Sequence, residues 1–194
     1  MKKWLIFAAC LIAVGGSTCE IYAEPTGNIN FSAGVLKTAG DFSRVFDIHE
    51  RASVGASCDV KNAAWPVGIA FEYLLSYSQT KASENSAHLR QGTDIDIYCS
   101  EMFVGVKKIF DWSASFRPFA CGGVHTVDIY MDTSCDDEFD SGIGVWIGAG
   151  FYFALSKKTD IGLEWKWSKT KIEVFDTHTD AGGHYFSLLI GRHF

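Results

Sequence analysis

Apolar residues recur at every second position through most of this chain, and the spacing predicts strands rather than helices. The clearest case is GIGVWIGAGFYFALS, residues 142–156. Ile143, Val145, Ile147, Ala149, Phe151, Phe153 and Leu155 form one continuously apolar face. Gly142, Gly144, Trp146, Gly148, Gly150, Tyr152, Ala154 and Ser156 form the other, mostly small with two large amphipathic rings. Strands of soluble domains average about five to six residues. A tilted strand that crosses a bilayer needs about nine to eleven, and this segment is long enough.

The next segment, 160–171, shows which face meets which medium. Ile161, Leu163, Trp165 and Trp167 alternate with Gly162, Glu164, Lys166 and Ser168. A lysine on the lipid side near the midplane costs about 2–4 kcal/mol, so Glu164 and Lys166 are expected inside, paired with each other or with other charges.

The same alternation runs through residues 28–37, 51–60 and 67–78. It places Ile29, Phe31, Ala33 and Val35, then Ala52, Val54, Ala56, Cys58 and Val60, then Val67, Ile69, Phe71, Tyr73, Leu75 and Tyr77 outward. Glu72 falls on the inner face. Within 93–109, Tyr98, Met102, Val104 and Val106 read as outward and Glu101 as inward. The preceding TDIDI has the opposite phase, which predicts a bulge or a part that has left the bilayer. In 115–130, Arg117 placed inside puts Phe116, Ala120 and Val124 outside. The last segment, HYFSLLIGRHF, puts Phe186, Leu188 and Ile190 outward and ends on Phe194.

These segments make eight strands. Short connections at 61–66, 108–114 and 157–159 alternate with polar, mostly longer ones at 38–50, 79–92, 131–141 and 176–182. An even strand count with short turns on one side and longer loops on the other is the pattern of an outer-membrane barrel. The fold class expected is therefore all-β: an eight-stranded antiparallel up-and-down transmembrane barrel occupying residues 24–194. Trp65, Trp112, Trp165 and Trp167 are candidates for interfacial girdles. Arg192 falls near enough to an interface to extend toward headgroups.

The first residues change the picture by naming a compartment. MKK followed by WLIFAACLIAV has the charge and length of a signal peptide, too short to span as a helix. Cleavage after Ala23 gives 1–23 as signal peptide, with a lipid anchor at Cys19 as the competing reading. Past the leader, Cys58, Cys99, Cys121 and Cys135 remain, and whether any are bridged stays open. Their spacing does not resemble a zinc site.

Composition agrees with strands: aromatics are 14% of the 194 residues and glycines number 19. The net charge of −6 excludes nucleic acid as a partner, which would require a basic face.

Three places resemble the small eight-stranded outer-membrane barrels, the family of the OmpA membrane domain, OmpX and the opacity-type adhesins. RPFACGGV is similar to that family's Pro-aromatic-x-x-Gly strand start. GAGFYFALSKKTDIGLEWKWS resembles its Gly-rich hairpin, and Phe194 resembles the terminal aromatic read by the barrel-assembly machinery. The family usually has an aromatic where Arg192 stands. The resemblance implies a bacterial outer-membrane location with both termini periplasmic, and contact with membrane lipid and lipopolysaccharide.

Eight strands enclose an interior just wide enough for their own side chains. No aqueous pore and no cofactor are expected, but a lumen charge network of Glu72, Glu101, Arg117, Glu164 and Lys166 is. Function is then expected to be non-enzymatic, structural or through surface loops, in adhesion or envelope integrity. Asp136, Asp137, Glu138 and Asp140 are weak metal candidates without the spacing of a calcium loop. His178 and His184, with Asp176 and Asp180, are weaker ones.

The alternative is a lipid A deacylase, since barrels of that kind place a His-x-Ser pair and an acidic residue on their last strands. Ser168 and Glu173 lie in that region. Lys166 stands where the histidine is needed, so the nucleophile lacks its base.

Overall fold

A computed structural model of the chain describes residues 25–38, 50–62, 64–81, 93–113, 115–133, 137–174 and 177–194. Residues 1–23, expected to be a signal peptide, and Cys135, Asp136 and Asp176 lie outside the described residues. The strands are β1 (Thr26–Thr38), β2 (Glu50–Lys61), β3 (Gly68–Lys81), β4 (Asp94–Ile109), β5 (Phe116–Thr133), β6 (Asp137–Ala154), β7 (Thr159–Val174), β8 (Thr177–Asp180) and β9 (Gly183–His193).

Each strand pairs antiparallel with its sequence neighbour from β1 to β7, β7 pairs with β9, and β9 closes onto β1. The closed circuit thus has eight members, which leaves no strand edge for lipid to meet. The short β8 pairs only with β7 and extends that strand's loop end as a hairpin. Within the expected connection 176–182, the backbone therefore stays in ladder geometry from Thr177 to Asp180.

The alternation predicted along each strand is realised. Phe31, Ile69, Ile143, Ile147, Leu163, Leu188 and Ile190 are exposed on the outer surface, whereas Glu72, Glu101, Lys166 and Ser187 are buried inside. The undecided strand β5 takes the phase that buries Phe119, His125, Val127 and Ile129 and turns Ala120 and Val124 outward.

One of the two alternatives expected at TDIDI is excluded. β4 carries no bulge: its register against β3 is continuous from Gly68↔Lys107 to Lys81↔Asp94. Ile95 and Ile97 point inward with the same phase as Glu101, because the loop end of the lumen is itself apolar. There Ile95, Ile97, Cys99, Val127, Ile129, Met131, Ile172 and Ala181 form one buried cluster. The outward neighbours at this level are acidic and aromatic, with Asp94, Asp128 and Asp132 exposed beside Tyr98, Tyr130 and Phe139. A strand whose inner face is greasy and outer face charged is standing in water, not lipid. The second half of the expectation, a part that has left the bilayer, is consistent with this arrangement.

Four strands rise together to make that projection: β4 has 16 residues, β5 and β6 have 18 each, and β7 has 16. The strands on the other side are shorter, with 12 in β2 and 11 in β9. The barrel is accordingly taller on one side at its loop end. At the opposite, turn end, Gly27 and Phe194 exchange backbone hydrogen bonds, and the chain terminus is held in the ladder.

Candidate functional site: the sealed lumen

The lumen is built from the polar faces of all eight barrel strands, and its charges sort into separate groups stacked along the axis. Highest demand falls on Lys166, whose side chain is fully buried. Its Nζ donates to Glu72 Oε2 at 2.5 Å and lies 3.3 Å from Glu164 Oε2. The ammonium also sits 4.8 Å from the centre of the Phe103 ring. Burying a lone ammonium costs several kcal/mol, and two carboxylates with a ring face offset that cost. Three of the five residues expected in a lumen network, Glu72, Glu164 and Lys166, are thus brought together.

The other two lie elsewhere. Glu101 accepts a hydrogen bond from Tyr185 Oη at 2.5 Å, nearer the loop end. Arg117 lies at the turn end, where its Nη2 donates to Asp160 Oδ2. The same Asp160 oxygen is 2.9 Å from His193 Nδ1, which ties β5, β7 and β9 at one point. One network is in fact several short ones, separated by aromatic rings.

Sequence reading missed a further group between them. Lys107 Nζ donates to Tyr152 Oη at 3.0 Å and to Asp59 Oδ1 at 3.4 Å, and Asn28 Nδ2 donates to Asp59 Oδ2 at 2.8 Å. Lys107 is stacked 4.5 Å from the Phe119 ring centre. It also missed Arg51, buried and donating to Cys99 Sγ, and His125, whose Nε2 lies 2.7 Å from Thr170 Oγ1. The signal was present: Arg51 and Asp59 share the polar parity of β2, and Lys107 shares that of Glu101 on β4.

Rings fill the remaining space. Phe103 is stacked on His125 at 5.0 Å and meets Trp146 and Tyr185 edge-on at 5.5 and 5.6 Å. The glycines of β6 make room for these groups. A Cβ on Gly148 would lie 2.8 Å from Lys166 Cγ, and one on Gly150 would lie 2.6 Å from Phe119 Cζ. This explains why the inner face of that strand reads as small residues interrupted by Trp146 and Tyr152. Between Glu72, Phe103, Lys107 and Glu164 the void is about 10 Å³, barely one water. Such an interior positions side chains but admits no substrate.

The outer-surface candidates fall at two heights. Trp65 and Trp112 lie exposed in the turn-end connections, and Arg192 and Phe194 are exposed at the same end. Trp165 and Trp167 face outward on β7, opposite Phe186 and His184 of β9, toward the loop end. Trp165 stacks on His184 at 6.0 Å.

Two described members of the metal candidates are engaged in separate backbone contacts. Asp140 accepts from the Glu173 backbone N–H at 2.5 Å, and Asp180 Oδ1 caps the Gly182 and Thr170 N–H groups at 2.9 and 3.3 Å. Among the described residues no three His, Cys, Asp or Glu side chains converge on a metal position. The side chains of Asp137 and His178 lie outside the described residues, as does all of Asp136. The thiols of Cys58, Cys99 and Cys121 are free.

The pair a deacylase would need is also apart. Ser168 is buried in the lumen, 3.3 Å from Tyr185 Oη, whereas Glu173 is exposed on the outer face. Opposite parities on one strand put the two on opposite sides of the barrel wall.

A closed eight-stranded antiparallel wall, apolar outside and charged within, defines an integral outer-membrane β-barrel. The chain belongs to the family of outer membrane protein beta-barrel domains, whose model matches residues 6–194. No curated protein sequence matches it. Among solved structures it is similar to neisserial surface protein A (NspA), with a TM-score of 0.58 at 14% identity over 88% of this chain and 97% of that one. OprG from Pseudomonas aeruginosa matches with a TM-score of 0.58 at 12% identity, covering 89% and 96% of the two chains. Ail, the attachment invasion locus protein of Yersinia pestis, matches at 0.50 and 14% identity, covering 89% and 99%. At these identities the likeness is one of fold.

Proposed function

We propose that this barrel acts as a sealed membrane scaffold for its surface loops, in adhesion or envelope integrity, and is neither a pore nor an enzyme. The observation that carries the reading is the lumen, blocked by charged groups at mid-height and by an apolar cluster at the loop end. A solute would have to break buried ion pairs and displace packed hydrophobics, both costly. The separation of Ser168 from Glu173 supports the non-enzymatic reading.

In this reading residues 1–23 are removed on export, the termini and short turns face the periplasm, and the long connections face outward. Trp65, Trp112, Arg192 and Phe194 then mark the periplasmic interface, and Trp165 and Trp167 the outer one. The partners are outer-membrane lipid, lipopolysaccharide, the barrel-assembly machinery and a surface ligand of the loops. The test is to replace 39–49 and 82–92 with short turns and measure adhesion and envelope permeability in cells. The expected result is a heat-modifiable, correctly inserted barrel that has lost the surface phenotype. Stepwise conductance from the intact protein in planar bilayers would overturn the sealed-scaffold reading.

A further inference from the structure

The turn end of the barrel carries an unassigned groove of about 380 Å³, lined by Lys61, Lys108, Ile109, Phe110, Asp111 and Trp112. It lies beside the connections that follow β2 and β4. Lys108 is the next outward residue after Val106, which is 51% exposed on the lipid-facing surface opposite Ile69. Its ammonium is therefore stationed at the border of the apolar band, where one of its three donors is held by Pro66 O at 2.7 Å. Lys61 enters from the strand end beside the lumen mouth. Among the described residues, neither ammonium has a carboxylate within 4.0 Å.

Further cations stand at this end of the barrel, across it from the groove. Lys157, Lys158 and Arg192 are also exposed at this end, and among the described side chains Asp111 is the one exposed carboxylate there. The loop end is mixed, with Glu50, Asp94, Asp128, Asp132 and Glu173 exposed beside Lys37, Lys81, Lys169 and Lys171, two of them paired with those carboxylates. The walls of the groove are amphipathic: Phe110 is 47% and Trp112 78% exposed, so ring surface lies next to unneutralised ammonium groups. Cations at the edge of an apolar band, beside aromatic faces, match a ligand with an anionic head and apolar tails.

We infer that this groove binds the headgroup phosphate of an anionic phospholipid, Lys61 and Lys108 contacting the phosphate and Phe110 and Trp112 the glycerol and upper acyl region. The occupant belongs to the leaflet at the turn end, so the assignment to the periplasmic leaflet rests on the orientation proposed above. The groove itself does not.

Native mass spectrometry of the folded barrel in detergent, with equal amounts of phosphatidylglycerol and phosphatidylcholine of matched chains, tests the site. The expected result is preferential retention of phosphatidylglycerol. A lysine near an anionic surface is worth about a fivefold change in binding, so Lys61→Gln with Lys108→Gln should lower retention by about 25-fold. Lys169→Gln with Lys171→Gln, at the loop end, should leave it unchanged. Asp111→Asn should raise it, an outcome that stands even if the double lysine variant fails to fold. Equal retention of the two lipids, or equal loss from the loop-end control, would overturn the site. Displacement of the lipid by millimolar inorganic phosphate would show a soluble-anion site and overturn the lipid assignment. Separately, labelling of Ser156→Cys in intact cells by an impermeant maleimide, above the parent chain, would overturn the orientation and with it the choice of leaflet.

Discussion

Phe194 and Gly27 hold each other in the ladder: each donates its N–H to the other's carbonyl at 2.9 Å. The Phe194 ring lies over Gly27 so closely that a Cβ there would come within 2.9 Å of Cζ, and within 2.3 Å of Asp59 O. The last residue is thereby part of the seam between β9 and β1, where the barrel closes. Deleting Phe194 should lower the amount of heat-modifiable protein in the outer-membrane fraction. Unaltered assembly of the shortened chain would show that the closing seam does not need its last rung.

Lys166 bridges two carboxylates in a buried, closely packed interior. Removing one partner of a buried ion pair typically costs about 3–5 kcal/mol, because the remaining charge is uncompensated. Lys166→Met should therefore lower stability by that order in urea unfolding from lipid vesicles. Adding Glu72→Gln and Glu164→Gln should restore much of it. An equal loss in the triple variant would mean that packing, and not charge, dominates the site.

The outer face gives a depth-dependent contrast. Leu163 pairs with Phe151 and Leu188 midway along the lipid-facing wall, whereas Leu155 is exposed at the turn end. An arginine costs about 2–4 kcal/mol at the midplane and about 0–1 near an interface. Leu163→Arg should destabilise strongly and Leu155→Arg little in the same unfolding assay. Similar costs for both would place the bilayer elsewhere on the barrel.

Cys99 is buried within the loop-end cluster, with Arg51 donating to its sulfur. In the folded barrel it should resist maleimide, and it should react fully after unfolding. Electrophoresis with and without reductant should reveal no bridge among Cys58, Cys99 and Cys121. Rapid labelling of Cys99 in the folded state would indicate that the apolar cluster opens.

Much of this was legible before any coordinates, because strand alternation in a membrane has two opposed penalties. A charge outward meets hydrocarbon, and a strand edge left open loses its hydrogen bonds. Glu164 and Lys166 could thus be assigned inward from their own strand, whereas Arg117 alone left the phase of β5 open until the ladders with β4 and β6 set it. The same logic misled at TDIDI. Its isoleucines are greasy yet face inward, since above the bilayer the lumen takes over the role of an ordinary core. Periodicity reports which residues share a face, and the surrounding medium decides what that face wants.

The grouping of the charges was legible only within one strand, at Glu164 and Lys166. Lys166 meets Glu72 across 94 positions of sequence, and Tyr185 meets Glu101 across 84. Those partnerships depend on how far each strand is staggered against the next, and side-chain alternation constrains only parity within a strand. By itself the sequence determined the wall: its strands, its two faces and its location in a membrane, each set by local patterning against water or lipid. Closure of the tertiary structure decided the interior: which charges pair, where rings divide them, and where the apolar cluster seals the lumen. It also decided that Lys61 and Lys108, on strands separated by β3, face one groove at the turn end, because only the register of adjacent strands brings distant residues to a common height.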